Sequence, residues 1–148
     1  MSEHTAAIRW ALGEAAFTYE AYPRAHAWGF DAGLEVPASA APDYLGDADR
    51  VDPEEALVAA VASCHMLTFL AIAAKKRIGV LAYEDDAVGT LAKNEDGRLA
   101  VTRIALRPRI TFEEPGPDAA SIERLHEGAH RNCFIANSVK AEVVVEAP

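Results

Sequence analysis

Residues 51–77 read VDPEEALVAAVASCHMLTFLAIAAKKR, and how this stretch folds decides the rest. Asp52 suits an N-cap, Pro53 the first helical position, and Glu55, three residues after the cap, completes a capping box. Lys75, Lys76 and Arg77 come just before Gly79, where a helix dipole favours cations and a helix ends. These signals predict a helix of about 23 residues. From Ala56 to Ala74 it is apolar nearly all round, with Ser63, His65 and Thr68 as the polar interruptions. Such a helix is either buried on every side or spans a membrane. The alanine content, the histidine and the amphipathic strands on both flanks favour burial. A domain of this size encloses so long an apolar helix with difficulty unless a second copy covers one side, so a homodimer with the helix near the interface is expected.

The flanks read as strands. Ile8, Trp10 and Leu12 alternate with polar or small residues, Phe17, Tyr19 and Ala21 repeat the pattern, and Leu34 and Val36 follow. Residues 37–50, PASAAPDYLGDADR, form a surface loop. After Gly79, the run from Val80 to Leu91, the turn NEDG at 94–97 and the run from Leu99 to Phe112 predict one long hairpin. Asp118 or Ser121 caps a second helix with a face of Ile122, Leu125 and Ala129, and Val139 to Val145 supplies a closing strand. The order predicts one α+β domain over residues 1–148, with antiparallel sheets around a long central helix.

Composition removes several classes of function. The net charge is −9, and no basic cluster exceeds Lys75-Lys76-Arg77, so nucleic acid and anionic membranes are not expected partners. The start, MSEHTAAIRW, lacks the basic and apolar regions of a signal peptide, which predicts the reducing cytoplasm. There the two cysteines are either small core residues or working thiols, not a structural disulfide.

HEGAH at 126–130 matches the zinc-hydrolase pattern H-E-x-x-H, with Glu127 as general base. Gly128 weakens the helix there, and only Cys133 or Glu142 follows as a third ligand, so His126 and His130 are read as surface or interface residues and no metal is expected. Cys64 lies half-way along the apolar helix, where a thiol becomes reactive only if a fixed cation reaches it. Arg9, Arg24, Arg103, Arg107 and Arg109 are candidates that spacing does not separate. Cys133 follows the second helix, and the two cysteines fit a pair that closes a disulfide in a working cycle. Glu54, near the helix start, by itself needs no role beyond the helix dipole.

DPEEALVAAVASCHM resembles the Asn-Pro-Glu-x-Leu-x-x-Ala-x-x-x-x-Cys signature of the OsmC/Ohr thiol peroxidases, and NCFIANSV resembles their second motif, Cys-Pro-x-Ser-Asn. The element order is similar as well, so the resemblance covers nearly the whole chain. It implies that Cys64 is the peroxidatic thiol, Cys133 the resolving thiol, and Glu54 the holder of a catalytic arginine, for which Arg24 in YPRAHAWGF is the choice. It further implies an intertwined homodimer with sites at the interface, no cofactor, an organic hydroperoxide as substrate, and an external dithiol, possibly lipoyl-type, as reductant. Met66 and Phe69 would give an apolar wall. Asp52 in place of Asn, His65 after the cysteine, and Phe134 and Ala136 in place of Pro and Ser mark a divergent branch. The alternative is a non-catalytic OsmC-like binding or structural protein whose cysteines are core residues.

Overall fold

A computed structural model describes residues 1–146. The chain divides into two compact units, Met1–Ala56 and the part from Leu57 onward.

In the first unit, strands β1 (Ala7–Arg9), β2 (His26–Gly29) and β3 (Glu35–Ala38) form an antiparallel sheet in that order. The run expected as a strand around Phe17–Ala21 is a turn instead. Its aromatic residues pack on one another, with Phe17 5.7 Å from Tyr22 and Trp10 6.2 Å from Phe17 between ring centroids. Period-two spacing there reflects an aromatic cluster, and Trp10 Nε1 donates to Pro23 O at 2.7 Å to hold the turn closed. The 37–50 stretch is a loop anchored by buried Ser39, whose Oγ accepts from Asp47 N at 3.0 Å. Gly46 is required in this loop, because a Cβ would lie 1.6 Å from the Ala40 carbonyl oxygen.

Helix α1 (Pro53–Lys75) starts as expected. Glu55 N donates to Asp52 Oδ1 at 2.8 Å and Asp52 N donates to Glu55 Oε2 at 3.2 Å, a reciprocal capping box.

In the second unit the expected long hairpin forms but is interrupted once, which divides it between two sheets. Strand β4 (Val80–Asp85) pairs with β7 (Pro108–Phe112), whereas β5 (Val88–Lys93) pairs with β6 (Leu99–Leu106). The chain bends between Asp85 and Val88 and again at Arg107, where Arg107 N donates to Asp85 Oδ1 at 2.7 Å. Each half thereby becomes a separate sheet. Strand β8 (Glu142–Val145) joins β6 in parallel, the one departure from an antiparallel arrangement among the described strands. It begins later than expected, after a 3-10 turn at Ala136–Ser138. Helix α2 (Ala119–Asn132) is capped by Asp118, which accepts from Ser121 N at 2.7 Å.

Val61, His65, Phe69 and Ala73 form the buried stripe of α1 at helical spacing. Val61 packs with Ile104 and Leu106 of the three-stranded sheet, while Phe69 and Ala73 pack with Leu125 and Ala129 of α2. The opposite stripe, Ala60, Ser63, Leu67 and Ala71, is exposed, and Leu67 retains 60% of its surface. Within one chain the helix is therefore buried on one side only.

Candidate active site

Cys64 lies on the flank of α1 between these two stripes and is half-buried. It lines an open cavity of about 660 Å³ with Ser63, Leu67, Thr68, Ile72 and Phe134. Thr68 Oγ1 donates to the Cys64 carbonyl at 2.8 Å, which fixes the threonine beside the thiol. The apolar wall is Leu67, Ile72 and Phe134 rather than the expected Met66 and Phe69. Phe69 is one turn further round the helix and is fully buried against α2.

Cys133 is the C-cap of α2 and is completely buried. Its Sγ accepts from Ala136 N at 3.4 Å, so the 3-10 turn that follows wraps around the sulfur. Burial pushes this thiol's pKa up, and the neighbouring Cys64 thiol pushes it further. Two free thiols from residues 64 and 133 are thus neighbours, one facing a cavity and one enclosed. A pair in that state can lose two electrons and form a disulfide.

Arg24 and Glu54 line a second cavity, also of about 660 Å³, within the first unit, together with Trp10, Phe17, Tyr22 and Tyr44. Arg24 Nη1 donates to the Tyr22 carbonyl at 2.7 Å, Nη2 donates to the Tyr19 carbonyl, and the guanidinium lies 3.7 Å from the Tyr22 ring centroid. No ion pair joins Arg24 to Glu54 among the described residues. The other arginine candidates divide clearly. Arg103 and Arg107 are bound by Glu146 at 3.0 and 2.9 Å, and Arg109 by Asp86 at 2.7 Å. Only Arg9 and Arg24 of the five lack a carboxylate partner among the described residues, and Arg24 shares its cavity with Glu54.

A matched family model, described as OsmC-like protein, covers residues 46–147. The chain belongs to the OsmC-like protein family. Along its whole length this OsmC-like protein is 49% identical to an OsmC-like protein of unknown function from Vibrio cholerae, with a TM-score of 0.96 and full coverage of both chains. An organic hydroperoxide resistance protein from Legionella pneumophila shares 18% identity at a TM-score of 0.69, covering 99% of this chain and 97% of that one. The organic hydroperoxide resistance protein of Bacillus subtilis shares 20% at 0.67, covering 97% and 98%. At these identities the last two show the fold alone. No curated protein is matched.

Sequence reasoning missed the seating of Arg24 on Tyr19 and Tyr22, and the environment of His65. That imidazole is 1% exposed and points at α2, where its Nε2 lies 3.0 Å from His126 Nδ1. The two rings are stacked 14° from parallel. Burial, then His126 and His130, lowers the His65 pKa to about 4. The motif HEGAH therefore places His126 half-buried in a helix seam, with one ring nitrogen already engaged. Among the described residues no group of three His, Cys, Asp or Glu side chains is arranged to hold a metal ion.

Proposed function

We propose that this OsmC-like protein is a thiol peroxidase that reduces organic hydroperoxides to alcohols. The observation that supports the reading is the nearness of the cavity-lining thiol Cys64 to the enclosed thiol Cys133. In the first step Cys64 thiolate attacks the distal peroxide oxygen, the O–O bond breaks, and the alkoxide takes a proton to leave as alcohol, with sulfenic acid on Cys64. The Cys133 thiol then attacks that sulfur, a disulfide forms, and water leaves. An external dithiol of lipoyl type restores both thiols by exchange. The apolar wall of Leu67, Ile72 and Phe134 favours peroxides with an apolar body over hydrogen peroxide.

Arg24, which shares a cavity with Glu54, stabilises the thiolate and donates hydrogen bonds to the peroxide oxygen as charge develops. Glu54 and Cys64 are ten residues apart on one helix, about 15 Å along its axis at 1.5 Å per residue. That is further than a glutamate side chain extends. The Glu54 that serves a given Cys64 is therefore taken to come from a second copy, across the exposed stripe of α1, in a homodimer. A reducing compartment such as the cytoplasm suits a chain whose two cysteines rest as thiols.

The test is intact mass and free-thiol count before and after one equivalent of cumene hydroperoxide, then after dithiol reduction. Loss of two thiols and two hydrogens, reversed by dithiol, is expected. Cys64→Ser abolishes turnover, and Cys133→Ser permits one oxidation and then stalls. Unchanged thiols in the folded protein, or full turnover in Cys64→Ser, would move the assignment to a non-catalytic binding protein whose cysteines only fill space.

A further inference from the structure

The two helices that carry the thiols meet along a seam that is otherwise apolar. Phe69 and Ala73 of α1 pack on Leu125 and Ala129 of α2, and Gly128 leaves room for Ile72, whose Cδ1 lies 3.1 Å from where a Cβ would be. Apolar burial is non-directional, so these contacts resist separation more than sliding or rotation. Disulfide closure is far less tolerant. Cα atoms must sit within a window about 2.4 Å wide, and a slip by one residue's rise, about 1.5 Å, takes up most of it.

Across this seam the hydrogen bond between His65 Nε2 and His126 Nδ1 is the single side-chain hydrogen bond from α1 to α2 among the described residues. His65 directly follows Cys64, and His126 lies two turns before Cys133. The rings stack, and Phe69 packs against His126 at 4.7 Å between centroids. His65 Nδ1 is buried and has no partner. A buried orphan N–H is rarer and costlier than a bare lone pair, so the proton belongs on His65 Nε2, which donates to His126 Nδ1. The pair is then neutral and directional.

We propose that the His65–His126 hydrogen bond is a latch that fixes the register of α1 against α2, making both histidines positioning residues for closing the Cys64–Cys133 disulfide. Neither ring takes part in the chemistry. After Cys64 has been oxidised to sulfenic acid by the hydroperoxide, the S–S bond forms as the S–O bond breaks, and the Cys133 proton leaves with the hydroxide as water. The latch raises the fraction of time the two sulfurs are in range. This rests on the thiol-pair reading above, and the two are separable because the same closure can be driven without peroxide.

The experiment compares wild type, His126→Phe, which keeps the stacked ring and removes the acceptor, and His126→Asn, which removes the ring and restores an amide that accepts or donates. Sulfenic acid formation with one equivalent of cumene hydroperoxide is followed by dimedone trapping, closure by intact mass, and the disulfide equilibrium separately in a glutathione redox buffer. In His126→Phe, sulfenic acid forms at the wild-type rate while closure and the equilibrium constant fall about tenfold, the worth of one neutral hydrogen bond. In His126→Asn both return to within about threefold of wild type. Wild-type closure in the phenylalanine variant, or equally slow closure in both variants, overturns the latch. If the phenylalanine variant does not fold, His126→Asn decides alone: closure within about threefold supports the latch and closure about tenfold slower overturns it. If wild type yields no sulfenic acid but the glutathione equilibria follow the pattern given, the peroxidase reading fails and the latch stands.

Discussion

The imidazole of His65 sits among apolar side chains with one nitrogen bonded to His126 and the other bare. Protonating it means charging the bare, buried nitrogen, so the folded chain holds its pKa near about 4, below the ordinary histidine value, chiefly through desolvation and then through repulsion from His126 and His130. The sign of the pH effect follows from linkage. Above the unfolded value of about 6.5 both states are neutral, and as pH falls from there toward 4 the unfolded chain takes up a proton that the folded chain refuses. Stability at pH 5 is expected to be about 2 kcal/mol lower than at pH 7 from this group. Urea midpoints at the two pH values in wild type and His65→Phe check it, and equal losses in both chains would show that other groups dominate. Cys133 behaves in the opposite sense for a related reason. Its enclosure favours the thiol, so in the proposed cycle it stays protonated until the Cys64 sulfur becomes electrophilic.

Local devices at the level of elements were the most legible part of the chain. The capping box at Asp52 and Glu55, the cap at Asp118 and the extent of α1 follow from side-chain chemistry within four residues of each feature, and all are present. Asp52→Ala, which removes the acceptor for Glu55 N, is expected to cost about 1 kcal/mol, measurable as a shift in thermal midpoint at unchanged fold. Gly46→Ala is expected to cost more, about 2–3 kcal/mol, because its Cβ would meet the Ala40 carbonyl and the 39–47 loop must move. Wild-type stability in that variant would show the loop to be slack. Where alternation was the only signal, it misled. Phe17, Tyr19 and Ala21 have strand spacing but sit in a turn, since mutual aromatic packing satisfies them without a neighbouring strand. The 80–112 hairpin forms and keeps one register across its interruption, where Asp85 binds Arg107 N and Asp86 binds Arg109, contacts across the hairpin that periodicity does not encode.

For the whole molecule, the decisive feature is the exposed apolar stripe of α1. Leu67 keeps 60% of its surface in the isolated chain, flanked along the helix by Ser63 and Ala71. If the homodimer buries this stripe, Leu67→Glu places a charge in it at a cost large enough to dissociate the pair. Sedimentation should then show a dimer for wild type and a monomer for the variant, and peroxide turnover should fall with dimer content if, as proposed, Glu54 and Arg24 are supplied by the second copy. A wild-type monomer with full turnover would exclude that arrangement.

The sequence alone determined the long central helix, its caps, the α+β class and the family, because these depend on periodicity, short-range capping chemistry and a motif of fixed spacing. It also singled out both cysteines, but left five arginines open. Tertiary structure decided what lies between residues distant in the chain: that Cys64 and Cys133 are neighbours, that Arg103, Arg107 and Arg109 are committed to carboxylates, and that His65 meets His126. The physical reason is that burial and hydrogen bonding act over a few ångströms in space, whatever the separation in sequence. Whether a thiol is enclosed, a cation engaged or an imidazole held neutral is therefore fixed only when the elements pack.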